Sequence, residues 1–522
     1  MFHPRRTLRA LLLPLVAGLA LIALPASSAQ AASTLTNGGF ESDGTGTATP
    51  AGWSTYSAAG QNSASFTESG GHSGSYRLTH YSASAYKVET YQYLSGLTNG
   101  NYTLTAWVRS SGGQNSAYIS LKNCGSSDQK TDLPVSTSSW VRIVTSINVT
   151  GNQCTISINS DANAGNWINV DDLTFASGST GLSIKGADIS SLAKSEALGG
   201  VYRTSSGTTG DAVTILKNAG MNYARLKVWV NPADGYNNKT RVLAMAKRIK
   251  AAGMKLLVDF HYSDKWADPG AQSKPAAWSG HTYSQLKTDV YNHTYDVLNA
   301  LKSQGTTADM VQVGNEINAG MLWNEGSTDN WSQLAGLLNS GYSAVKAVSS
   351  GTQVALHLAN AGDDAAVRTW FDNAKTNGVN YDVIGLSYYG YWHGSLAAAQ
   401  TTLDDVVSRY GKPVFVAETA YPFRLDSKDS LTNQIDTTGE LVAGYPATQA
   451  GQLAWMNAVA NIVEAVPGNK GLGVFYWEAT WTAVTGNGWD PTDSTSGNGW
   501  ENQALFDYDN KATSATSWFS HR

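Results

Sequence analysis

Residues 311–320 read VQVGNEINAG. Val311 and Val313 are apolar and β-branched, which suits a buried strand. The run then breaks through Gly314 into Asn315 and Glu316. A strand ending this way delivers an amide and a carboxylate to the mouth of its loop. Residues 414–422, VFVAETAYP, repeat the pattern: an apolar run that ends on Glu418. Should both strand ends open on one face, two carboxylates would share a site.

Similar runs recur from residue 182 onward, at 182–188, 223–230, 255–261, 310–316, 353–358, 383–387, 414–418 and 473–477. Amphipathic stretches such as 240–252 and 284–303 lie between them. Eight β/α units predict a (β/α)8 TIM barrel. A doubly wound sheet would carry a glycine-rich phosphate turn after its first strand, and this chain has none there. Strand C-termini and the loops after them carry the site in such barrels. Here those ends hold Arg225 and Trp229, then His261 within DFHYSDKW (259–266), then Asn315 and Glu316. His357, Tyr388, Tyr389, Trp392, Glu418 and Trp477 follow.

Ahead of residue 177 the rhythm differs. Short alternating segments at 102–108, 117–121, 140–144 and 154–158 are separated by Gly, Asn and Ser clusters, the pattern of an all-β sandwich. The predicted order is therefore a leader (1–31), a β-sandwich (32–177), a short linker (178–181) and the barrel (182–522). Arg5, Arg6 and Arg9 precede an apolar run at 11–24, too short for a bilayer, and Ala29-Gln30-Ala31 offers a cleavage site. This reads as a signal peptide of a secreted protein. The two cysteines, Cys124 and Cys154, then read as a disulfide.

Of 522 residues, 14% are charged and the net charge is −5, which gives no electrostatic footprint for nucleic acid or anionic membrane. The chain has 17 Trp, more than cores need. Some would serve as flat platforms for sugar rings, and Trp229, Trp392 and Trp477 stand at the right strand ends. Paired carboxylates flanking a cleft are the equipment of glycoside hydrolysis. The bland alternative makes each glutamate a solvated strand end or the partner of an arginine.

KGADIS (185–190), ARLKVWVNP (224–232), DFHYSDKWADP (259–269), VGNEINAGMLW (313–323), SYYGYWHG (387–394), AETAY (417–421) and GVFYWE (473–478) occur in order. With them, the segment from about residue 182 to 517 resembles the secreted endo-β-1,4-galactanases of glycoside hydrolase family 53. The resemblance implies that Glu316 is the general acid/base and Glu418 the nucleophile of a retaining double displacement. It further implies Arg225 as counter-charge to Glu418, and Tyr388, ahead of Tyr389, as its hydrogen-bond donor. Asn315 would bond the sugar 2-hydroxyl. His261 and His357 read equally as substrate contacts or satisfied structural groups. Retention requires carboxyls about 5–5.5 Å apart. Two departures, Gly390 and ATW at 479–481, fall in loops that shape distant subsites. The loop RLDSKD (424–429) lacks the calcium pattern of some bacterial relatives. No catalytic cofactor is expected. Another endo-glycanase of the same clan, such as a mannanase, and a secreted lectin with an inactive barrel are the competing readings.

NGGFE (37–41), GSYRL (74–78), WVRSSGGQ (107–114) and NVDDLTF (169–175) make residues 33–177 similar to jelly-roll carbohydrate-binding modules that bind galactan. A binding surface of Trp107, Arg109, Gln114 and Asn115 is expected, with Trp107 as core residue the alternative. Glu41, Asp171 and Asp172 suit a structural calcium or else solvate the sheet edge. The expected partner is galactan or arabinogalactan, bound by a monomer.

Overall fold

The computed structural model describes residues 35–521, so the expected leader at 1–31 lies outside the described residues. Two units follow one another. The first holds ten strands: β1 (Ser54–Tyr56), β2 (Ser65–Ser69), β3 (Tyr76–Tyr81), β4 (Tyr86–Ser95), β5 (Gly100–Ser110), β6 (Gln114–Lys122), β7 (Gln129–Asp132), β8 (Thr137–Val149), β9 (Gln153–Ala162) and β10 (Trp167–Ser177). They form two five-stranded antiparallel sheets, in the orders β1-β4-β9-β6-β7 and β2-β3-β10-β5-β8. Alternation sets the sides. Tyr102, Leu104, Ala106 and Val108 of β5 are buried between the sheets, while Thr103, Thr105, Trp107 and Arg109 face outward. Cys124 and Cys154 form the expected disulfide, with 4.2 Å between their Cα atoms.

The second unit is a closed parallel barrel of β11 (Ile184–Asp188), β12 (Tyr223–Val228), β13 (Lys255–Phe260), β14 (Met310–Val313), β15 (Gln353–Leu358), β16 (Val383–Ser387), β17 (Val414–Thr419) and β18 (Gly471–Tyr476). All eight coincide with the runs read from the sequence. The interior is layered. Ile184, Tyr223, Leu257, Met310, Val383, Phe415 and Phe475 fill an apolar floor. Two residues further along, the same inward faces present Arg225, Asp259, Gln312 and His357, all buried. The period of two therefore lifts a polar layer directly onto an apolar one.

The units are docked against each other. On β8, Arg142 directs its Nη2 to both Asp404 oxygens at 2.8 Å and to Ala465 O at 2.7 Å. The Gln400 amide brackets the Arg142 backbone, accepting from its N at 2.7 Å and donating to its O at 2.8 Å. Asp404 and Gln400 lie on the helix Leu396–Tyr410. Residues 178–181 are pinned as well: Gly178 N donates to Asn101 O, and the Thr180 hydroxyl to Glu464 Oε1 at 2.8 Å. Among the described residues no helix is long and apolar enough to cross a membrane.

Candidate active site

Strand β14 ends at Val313, and the chain turns sharply to deliver Glu316. Gly314 has φ 84°, and a Cβ there would stand 2.6 Å from Ile317 Cγ2. Glu316 itself has φ 46°, a conformation that costs a non-glycine residue on the order of 1–3 kcal/mol. Glu418 reaches the same cleft from β17. The cleft has a volume of about 400 Å³, and its wall includes Arg225, Asn315, Glu316, Tyr389, Glu418 and Trp477.

The two carboxyls have unequal partners. Arg225 Nη2 contacts Glu418 Oε1 at 2.9 Å, and the Tyr389 hydroxyl donates to Oε2 at 3.0 Å. Glu316 receives instead the Ser387 hydroxyl on Oε1 at 2.6 Å. Burial pushes both above the ordinary carboxylate range. Glu316 goes to about 7, with Ser387 and Arg225 pulling the other way. Glu418 also rises on burial, opposed first by Arg225 and reinforced by Glu316, Asp259 and Asp188.

One guanidinium serves several acids. Arg225 Nη1 lies 3.1 Å from Asp188 Oδ2, and Nη2 lies 2.8 Å from Asp259 Oδ2 and 2.9 Å from Asn315 Oδ1. Its Nε donates to Gln312 Oε1 at 3.3 Å. Asn315 is thereby oriented. Its carbonyl takes Arg225, and its Nδ2 donates one bond, to Ala267 O at 2.8 Å, leaving a second hydrogen beside the cleft. His261 is held as a neutral tautomer: Nδ1 accepts from Ala267 N and Nε2 donates to Asp259. Burial lowers its pKa. His357 lies at the base of the site, fully buried, and its contacts are to Gln312, Asn315 and Ser387.

Two of the expected side chains lie elsewhere. Tyr388 turns its hydroxyl away from Glu418, to Gly394 O at 3.0 Å, and packs on Trp455. Val383 and Ser387 face inward along β16, and the same period of two puts Tyr389, not Tyr388, on the cleft side. Trp229 is 2% exposed beneath Trp266 and offers no face for a sugar. Trp266, Trp392, Trp477 and Trp500 make the aromatic rim. Trp392 is 51% exposed, and Trp477 meets Trp500 edge-on at 4.6 Å. Trp266 closes the DFHYSDKW stretch (259–266), five residues beyond the strand-end His261 and so without a strand position to mark it. Trp500 follows a glycine-rich loop with no strand to flag it. Lys227, also unassigned from sequence, pairs with buried Glu478 and sits 3.9 Å over the Trp266 ring.

In the module, the four expected sugar contacts do not share a face. Arg109 lines a cavity of about 370 Å³ on the outer face of β2-β3-β10-β5-β8, with Arg77, Tyr81, Trp167 and Asn169. Trp107 is covered by His72, stacked at 3.9 Å, and by Arg142. Gln114 and Asn115 open β6, in the opposite sheet, and line a separate cavity where the module meets the barrel. Nor do the three expected metal ligands converge: no group of three His, Cys, Asp or Glu does so among the described residues. Glu41 Oε1 accepts from Ser75 N and Tyr76 N, and Asp172 holds His72 and Ser73. Asp171 too accepts, from His72 N on Oδ2 at 2.6 Å and from Asp172 N on Oδ1 at 2.8 Å, but its Oδ2 also lies beside two carbonyl oxygens. A Cβ on Gly71 would lie 2.4 Å from Ser73 O, 2.5 Å from Tyr76 O and 2.8 Å from Asp171 Oδ2.

The model of Glycosyl hydrolase family 53 matches residues 184–519. An endo-beta-1,4-galactanase of Bacillus subtilis is 37% identical over 361 residues, covering 62% of this chain and 82% of that protein. An arabinogalactan endo-beta-1,4-galactanase of Thermothelomyces thermophilus is 36% identical over 322 residues, 60% of this chain and 94% of that one. Among solved structures, the family 53 catalytic domain of Ignisphaera aggregans superposes with a TM-score of 0.62 at 39% identity, covering 65% of this chain and 95% of that chain. The chain, a glycoside hydrolase with its two glutamates at the mouth of the barrel, belongs to glycosyl hydrolase family 53.

Proposed function

We propose that this protein is a secreted, endo-acting hydrolase of β-1,4-galactan, the backbone of type I arabinogalactan, that retains anomeric configuration. One observation carries the reading: two carboxyls in a single cleft, buried Glu418 contacted by a guanidinium and a phenol, and half-buried Glu316 by a serine hydroxyl. The Bacillus and Thermothelomyces relatives, named as endo-β-1,4-galactanases, supply the linkage.

Like charges crowded into a buried cleft cannot both persist, so the pair holds one proton. Direct contact with Arg225 assigns the negative charge to Glu418 and the proton to Glu316. With galactan across the cleft, Glu418 attacks the anomeric carbon while Glu316 protonates the departing glycosidic oxygen. Glu316, now a carboxylate, then takes a proton from the water that releases the sugar from Glu418. The free Asn315 hydrogen serves the 2-hydroxyl of the reacting galactose. Trp266, Trp392, Trp477 and Trp500 offer ring faces to neighbouring units.

The front unit is read as a galactan-binding module whose surface is the Arg109 cavity. Tyr81, 41% exposed, and Trp167 give flat faces there, and Arg77 and Arg109 give donors for hydroxyls. Docking such a surface rigidly to the barrel raises the effective concentration of enzyme on polymer. A calcium ion in the module would be held by Asp171 with the carbonyls of Ser73 and Tyr76, where it would brace the turn from His72 to Tyr76. Secretion is inferred from the leader composition and accords with the disulfide.

Reducing-sugar release from purified galactan, beside mannan and xylan, tests the reading. Release from galactan above both controls, abolished in Glu316→Ala and Glu418→Ala, is expected. Faster release from mannan or xylan overturns the substrate, and no release from any of the three overturns the activity.

A further inference from the structure

A retaining hydrolase asks its acid/base residue to be an acid in one step and a carboxylate in the next, without moving. Side chains that suit only one of those forms would let it drift. The chain Gln312, His357, Ser387, Glu316 is built from three consecutive contacts of 2.8, 2.8 and 2.6 Å. Gln312 and His357 belong to the buried polar layer of β14 and β15, and Ser387 ends β16. Directions along it follow from donor chemistry. Gln312 Oε1 accepts from Arg225 Nε, which turns its Nε2 toward His357 Nδ1. An amide nitrogen only donates, so His357 Nδ1 accepts and the ring proton sits on Nε2. Asn315 Oδ1 also lies 3.0 Å from Nδ1, but it already takes Arg225 and Gln312. His357 Nε2–H therefore donates to Ser387 Oγ, using one lone pair of that hydroxyl. Its other lone pair and its own hydrogen are left for Glu316.

We infer that Ser387, fixed by His357 and Gln312, is a positioning residue that holds Glu316 in both protonation states of the catalytic cycle. Toward the carboxylate, the hydroxyl donates. Toward the carboxylic acid, it rotates and accepts. The inference rests on the acid/base reading of Glu316. Donation to a charged oxygen is the stronger of the two bonds, so the pair as a whole favours the ionised form. The other groups around Glu316 do not replace it. Arg225 on β12, Asp259 on β13, Asp268 in the loop after it and Glu418 on β17 act on Glu316 through space. His261 and His393 on the cleft wall are held neutral by burial, Tyr389 is committed to Glu418, and Lys227 to Glu478.

The test is the pH profile of kcat/KM on soluble galactan for the full chain and for Ser387→Ala, Ser387→Thr and Glu316→Ala. The limb that falls at high pH reports loss of the Glu316 proton. Ser387→Ala removes the bond that favours the ionised form, so that limb moves up by about one pH unit, and the plateau drops roughly tenfold. Ser387→Thr keeps the hydroxyl and restores the limb. Thermal unfolding of each variant confirms that it is folded. An unmoved or lowered limb in folded Ser387→Ala overturns the inference, as does a folded Ser387→Thr with the alanine profile. Robust galactan cleavage by Glu316→Ala overturns the acid/base reading itself. If Glu316→Ala is dead while Ser387→Ala keeps the parent profile, only the inference falls.

Discussion

Replacing Arg225 by methionine should damage both the fold and the chemistry, by amounts the contacts allow to be worked out. The guanidinium is fully buried and faces Asp188, Asp259 and Glu418 within 3.1 Å. Methionine fills similar space but leaves three buried carboxyls with no cation in contact. Removing one partner of a buried ion pair costs about 3–5 kcal/mol. For a barrel of this size that corresponds to a fall in Tm of roughly 4–7 °C. The deficit should depend on pH. Asp188 already stands at about 6 in the intact site, raised by burial and Glu478, with Arg225 opposing. Without Arg225, Asp188 and Glu418 bind protons more tightly folded than unfolded. The folded state then carries the extra protons, so stability falls as pH rises through their folded pKa values. The variant should therefore lie closest to the parent in mild acid and furthest from it above neutrality. Glu418 would stay protonated, and cleavage should drop at least about 10³-fold. Scanning calorimetry from acid to alkaline pH, with activity measured in parallel, tests this. A folded Arg225→Met with parental Tm at every pH, or with a tenth of parental activity, would refute the role assigned to the arginine.

Three further outcomes follow from other contacts. Tyr389→Phe should lose about 10²-fold in kcat, because it removes a hydrogen bond to Glu418, whereas Tyr388→Phe should stay within a few-fold of the parent in steady-state kinetics. Arg142→Ala should weaken the seam between the units, splitting a single calorimetric transition into two or lowering its onset, since it deletes contacts to Asp404 and Ala465. Chelation by EDTA should lower the Tm of the front unit and leave galactan cleavage by the barrel intact; an unchanged transition would remove the cation from the Asp171 cradle.

The barrel was legible because strand and helix periods alternate eight times and polar residues gather at the strand ends. Glu316 and Glu418 could be read from that pattern, since each closes an apolar run. The inward layer beneath them was legible only in part: Arg225 and His357 could be named from their strand ends, Gln312 and Ser387 could not. Gln312 sits inside MVQV, where a single polar residue looks like an interruption until register shows which way it faces. Ser387 looks like an ordinary last strand residue. The choice between Tyr388 and Tyr389 follows from the inward face of β16, Val383 and Ser387, whose period of two continues to Tyr389 once that face is known. Trp229 and Trp266 exchanged roles because the loop between β13 and β14 folds one indole over the other. In the module, Gln114 and Asn115 follow Arg109 closely in sequence yet belong to the other sheet, so nearness along the chain gave the wrong neighbours.

The assignment of Glu316 as proton donor and Glu418 as nucleophile is tested most directly by azide rescue with an activated aryl galactobioside. Glu316→Ala should still form the glycosyl ester on Glu418, then stall for want of a base. Azide needs no base and fits the space left by the carboxylate, so it should restore turnover and yield the β-galactobiosyl azide, identified by NMR. From Glu418→Ala, azide should give the α-azide if any product forms. A β-azide from the Glu418 variant, or an α-azide from the Glu316 variant, would contradict the account by reversing the two roles.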